Sequence, residues 1–146
     1  MIQRIQTIFL LIALILGVVL CFIPAATISL VSTEMTLTIF GLNTAPQWYL
    51  ILLYSPGLLI IAVQIFMFKN RIKQIKMGRM GILIWFLWVG LFSLITWFVF
   101  LENIQYQNIN FEYGAIFPLV IVFLIRMANR AIKKDENLVR SIDRIR

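Results

Sequence analysis

Four apolar runs, at about 5–26, 47–68, 81–101 and 113–127, alternate with polar stretches along the chain. A helix needs about 20 residues to cross a hydrocarbon core about 30 Å thick, and the first three runs meet that length. The fourth reaches it only when its polar ends, from about 111 to 129, lie in the headgroup layer. The pattern predicts an all-α membrane protein. A four-helix transmembrane bundle occupies residues 1–127, and a basic amphipathic tail occupies 128–146.

The first run follows Arg4 and closes at Pro24-Ala25-Ala26, which imitates a secretory signal. Signal h-regions are about 7–15 residues long and this run is longer, so it is expected to stay as an anchor. Ala13 and Gly17 stand four residues apart, which lets a neighbouring backbone approach closely on that face. Pro24 ends the run because it has no N–H for the helical ladder. Residues 28–31 and 35–40 are then rich in β-branched side chains, with Ser32-Thr33-Glu34 between them. They make either a β-hairpin, joined by the alternating 104–111 into a small sheet capping the helices, or a pair of irregular loops.

The second run begins near Pro46, a residue suited to the first position of a helix, and Trp48 and Tyr49 suit an aromatic interface belt. Pro56 near its middle removes one backbone hydrogen bond and predicts a kink. Such a kink is either structural or, as in transporters with broken helices, beside a substrate site. In the third run Gly90, Ser93 and Thr96 form a small stripe able to face another helix, while Trp85, Trp88 and Trp97 sit toward the interfaces or, for Trp88, deep enough to need a hydrogen-bond partner. Pro118 opens the fourth run, where its missing donor is harmless.

Charge then orients the chain. All thirteen Lys and Arg residues lie before the first run, between the second and third, or from Arg126 onward. The two remaining connections carry Glu34, Glu102 and Glu112 and no cation. Short loops rich in Lys and Arg stay cytoplasmic, so both termini are expected inside. The net charge of +7 is accounted for by this split, which leaves no folded basic reader for nucleic acid. Composition agrees: 62% hydrophobic and 13% charged residues, with mean hydropathy +0.96, against about 25% charged in soluble domains.

The chain has no histidine, and Cys21 is its only cysteine. Zinc and haem sites draw on those ligands, so neither a metal nor a cofactor is expected. No Gly-rich phosphate loop or nucleophile elbow is present. The apolar runs hold no ionisable residue at their centres, which argues against ion-coupled transport and intramembrane proteolysis. No catalytic residue is assigned and the protein is read as non-enzymatic. After Met127, Ala128, Ala131, Ile132, Leu138, Ile142 and Ile145 recur at helical spacing between charges. This tail is either a solvated basic extension or an amphipathic helix that docks to the inner leaflet or to a partner protein. In the docking reading Ile132, Leu138, Ile142 and Ile145 make the buried face, with Lys133, Lys134 and Arg140 as the charged contacts.

The opening Met1-Ile2-Gln3-Arg4-Ile5-Gln6-Thr7 and the closing stretch from Ala128 to Arg146 resemble the domain of unknown function 4293 family, four-helix inner-membrane proteins of the Bacteroidota. The resemblance implies a multi-pass protein of a bacterial inner membrane and brings no activity, ligand or site residue with it. The functional expectation is an accessory or scaffold subunit of a larger inner-membrane assembly. The alternative is a protein that binds or transports lipid or another apolar small molecule beside the Pro56 kink.

Overall fold

The structure is a computed structural model that describes residues 3–30, 34–38, 41–42, 45–46, 48–68, 70–102 and 106–143. Helix α1 covers Gln3–Leu20 and stops short of the end of its apolar run. Its last turn tightens, with Cys21 N–H donating to Val18 and Phe22 N–H to Val19 at 3.1 and 3.0 Å, and Pro24 follows. Helix α2 covers Trp48–Phe66 with Pro56 inside it.

Helix α3 covers Arg71–Glu102, so it starts ten residues before the apolar run at 81. The cause is local. Asn70 caps this helix: its Oδ1 accepts from the Lys73 N–H at 3.3 Å, satisfying an otherwise orphaned donor of the first turn. The basic residues from Arg71 to Arg79 are therefore helical rather than loop. Helix α4 covers Phe117–Asp143, entered through a 3-10 turn at Tyr113–Ala115, and passes position 127 without a break. The tail is thus a continuation of the fourth helix up to Asp143, and residues 144–146 lie outside the described set.

Five short strands complete the fold: β1 Ala26–Leu30, β2 Glu34–Thr38, β3 Gly41–Leu42, β4 Ala45–Pro46 and β5 Tyr106–Phe111. They form an antiparallel sheet in the order β4-β3-β2-β1-β5. Thr27 pairs with Thr36 on one side and Asn110 on the other, so two connections distant in sequence share the central strand. Beyond the sheet, Glu112 N–H donates to the Ala25 carbonyl at 3.1 Å, and the Thr27 hydroxyl donates to the Glu112 carboxylate at 3.2 Å. Of the expected turn, Ser32 and Thr33 lie outside the described residues, as does Val31 before them, and Glu34 is the first residue of β2.

The fold is mostly helical, with α1 and α3 each packed against both α2 and α4. Ala13 and Gly17 are buried. A side chain at Gly17 would collide with Leu58 of α2, and the Tyr54 hydroxyl donates to the Gly17 carbonyl, so α1 and α2 meet at this small face. The indoles are not equivalent. Trp85 and Trp88 are buried against other side chains, the inner position that was open to Trp88, and Trp97 is exposed. Large rings fill the space that aliphatic side chains leave between α2 and α3. Tyr54 stands edge-on to Trp85 at 5.3 Å and to Trp88 at 5.4 Å, and Trp88 stacks on Phe92 at 5.2 Å. The small stripe is not a contact: Gly90 and Ser93 are exposed, and only Thr96 is buried. Ser93 and Thr96 instead donate to carbonyls one turn back, Val89 and Phe92.

The sheet makes a direct prediction for amide hydrogen exchange in detergent. Central strand β1 is flanked on both sides, whereas β4 is a two-residue edge. Amides of residues 27–29 should exchange at least about tenfold more slowly than that of Ala45. Uniformly fast exchange across both would contradict the strand order.

Candidate functional site

Polar side chains gather where the cationic ends of the helices meet. Gln64 lies in the last turn of α2 with none of its surface exposed. Its Nε2 donates to Asn129 Oδ1 of α4 at 2.9 Å. Gln74 of α3, also buried, donates from Nε2 to the Gln64 main-chain carbonyl at 2.9 Å. These bonds draw three helices to one point, and Gly78 of α3 makes room for them. A Cβ at Gly78 would collide with the Asn129 amide and with Gln64 Nε2. Gln6 of α1 is a further buried carboxamide.

Satisfaction of this cluster is incomplete. Gln64 Oε1, Asn129 Nδ2 and Gln6 Nε2 are buried and have no hydrogen-bond partner. A buried amide group left unpaired costs about 1–3 kcal/mol, so such a cluster is held in place by the packing around it. One turn beyond, Arg71 of α3 meets Asp135 of α4 at 3.1 Å, both side chains largely covered. Asp135 Oδ2 lacks an aligned donor, so charge attraction rather than a directed hydrogen bond joins the pair.

Beside the cluster, a groove of about 580 Å³ opens between α3 and α4. Arg79, Arg126, Arg130 and Lys133 line it together with Ile72, Ile75, Ile82, Asn129, Asn137 and one carboxylate, Glu136. No ion pair among the described residues involves any of the four cations.

The residues singled out from sequence fall as follows. Ile132 is fully buried, Lys133 and Lys134 are exposed, and Leu138 is about half exposed at 47%. Leu138 lies beyond the Arg71–Asp135 contact, past the first residue of α3, which offers it no further surface. The side chains of Arg140 and Ile142, and Ile145 altogether, lie outside the described residues. Pro56 is half-buried, and its neighbour Gly57 lies against the Trp85 indole, where an added methyl would stand 3.3 Å away. Sequence reasoning missed Gln6, Gln64, Gln74 and Asn129 because it searched for charge, and a neutral amide carries none. The available signal was Gln64 itself, an amide within an apolar run.

Two helices, Arg71–Phe98 and Tyr113–Val139, are long and apolar enough to cross a membrane among the described residues, which places the chain with mostly helical proteins of that character. It belongs to the family described as Domain of unknown function (DUF4293), which it matches over residues 2–145. No curated protein and no solved structure matches the chain.

Gly78 and Gly90 supply a matched pair for testing the cluster. Gly78→Val should lower stability in detergent by about 1–3 kcal/mol, the usual range for overpacking. Gly90→Val, with nothing within 4 Å of the new group, should change it by under about 0.5 kcal/mol. Equal shifts in thermal midpoint would contradict the close approach at Gly78.

Proposed function

We propose that the chain is a four-span protein of a bacterial inner membrane, with both termini and the basic helix ends in the cytoplasm. In this reading the sheet caps the bundle on the periplasmic side. The protein is a non-enzymatic accessory or scaffold subunit of a larger membrane assembly.

Exposed apolar side chains support the spanning reading. Leu11 and Ile15 of α1, Leu52 and Leu59 of α2, Leu87 and Leu94 of α3, and Phe123 of α4 all face outward. Only 28% of each long apolar window is buried, whereas the core helix of a water-soluble domain is mostly buried. Helices whose outward faces are this apolar suit lipid rather than water. The connectivity supports the orientation, since every cation among the described residues lies on a helix segment away from the sheet.

The accessory reading is carried by one observation. Helix α4 continues about two turns past the Arg71–Asp135 contact to Asp143, and it leaves Leu138 and Val139 exposed on that overhang. Aliphatic side chains on a charged helical extension suit a docking surface for another subunit. The carrier reading ranks second because at Gly57, next to Pro56, the Trp85 indole stands against the helix and is itself packed on Tyr54 and Trp88.

Native purification and mass spectrometry test the accessory role. Leu138→Asp should abolish a stoichiometric partner while insertion and thermal stability stay within about 0.5 kcal/mol of the parent. A chain ending at Glu136 should do the same, since it keeps Asn129, Ile132 and Asp135. Unchanged partners and localisation in both variants would remove the accessory role and move the carrier reading ahead.

A further inference from the structure

We propose that the groove between α3 and α4 is a binding site for one anionic phospholipid, its phosphate held by Arg79, Arg126 and Arg130. The inference rests on the spanning reading above and adds a ligand class to a defined place in the fold.

The argument starts from the order of residues along each helix face. On α3, Arg79 is followed at helical spacing by Ile82 and Phe86 toward the apolar span, with Phe86 54% exposed. On α4, Leu119 and Phe123 precede Arg126, Arg130 and Lys133 on one face, and both apolar residues are more than half exposed. Both helices therefore change from apolar to cationic at the same level. A phospholipid has that same grading, acyl chains on one side and phosphate on the other. Four cations against the single carboxylate of Glu136 leave the groove with a surplus of positive charge. Basic pockets between membrane helices on the cytoplasmic side suit anionic headgroups for this reason. Guanidinium groups add a planar fork of donors that matches phosphate oxygens.

Free phosphate satisfies only the cationic half. Ile82, on the apolar side of Arg79, lines the same groove, and it favours a ligand that carries hydrocarbon next to its charge. The volume of about 580 Å³ is of the size of small-molecule sites and admits a glycerophosphate headgroup with the first part of its chains.

The test uses the full chain in nanodiscs of equal phosphatidylglycerol and phosphatidylcholine, released and weighed by native mass spectrometry. The parent should retain phosphatidylglycerol in preference to phosphatidylcholine. The double variant Arg79→Gln, Arg126→Gln should lose that retention about thirtyfold, from two headgroup cations. The pair Lys76→Gln, Lys134→Gln removes equal charge at exposed positions outside the groove and should lose less than about threefold. An Arg79→Lys, Arg126→Lys chain keeps the charge and guards against a folding defect; it should retain most of the lipid. Excess inorganic phosphate should leave the lipid in place. Equal losses from the two glutamine pairs, or displacement by inorganic phosphate, would overturn the site. Absence of any phosphatidylglycerol preference in a protein that still needs detergent overturns the site alone and leaves the spans standing. A chain that stays soluble and folded without detergent or lipid removes the spanning reading as well.

Discussion

A carboxamide buried among apolar helices must find polar company, and the packing around Gln64 follows from that requirement. Its side chain has no contact with solvent, so its donor reaches Asn129 on α4 while its main-chain carbonyl receives Gln74 from α3. Apolar surfaces alone slide past one another, because dispersion contacts carry little directional preference. Directed amide bonds fix which turn of α2 lies beside which turn of α4. Gly78 is the steric condition for this, since any side chain there would occupy the space of both amides. The Arg71–Asp135 contact then continues the α3–α4 seam outward.

At the other end the seam is made differently. Tyr54 reaches the Gly17 carbonyl, and its ring packs against two buried indoles. Between these two points the helices present aliphatic and aromatic side chains outward on every element. The combination is coherent for a chain surrounded by lipid: polar groups turned inward and in part paired, apolar groups turned outward. It also explains why the groove stands out. Arg79 and Arg126 lie at the boundary between apolar and charged helix, close to the amide cluster yet outside it, with Asn129 common to both.

Much of this was legible in the residues, and the illegible parts have identifiable causes. Four helices follow from hydropathy, because length and apolar content are additive along a chain. Membership of the family was legible in the two chain ends, which carry more distinctive residues than the spans. The start of α3 was missed because hydropathy is blind to capping: Asn70 sets the helix boundary, and the basic residues after it are adequate helix formers. The continuity of α4 was missed for a related reason, as polarity changes at Met127 while the backbone does not. Strands β3 and β4 have two residues each, too few for any alternation to register. Residue type alone suggests an interface for Trp85, yet its neighbours Tyr54 and Gly57 on α2 decide its burial. The amide cluster depends on pairing across about 65 positions, which no local pattern encodes.

The central claim is that the sheet and the cationic helix ends lie on opposite sides of a membrane. Cysteine labelling in intact and permeabilised cells tests it most directly, using a chain in which Cys21 is replaced. Asn110, exposed in β5, and Lys134, exposed in α4, are the positions to convert. The account predicts that a membrane-impermeant maleimide reaches position 110 in intact cells and position 134 only after permeabilisation. Labelling of both positions in intact cells, or the reverse pattern, would contradict it.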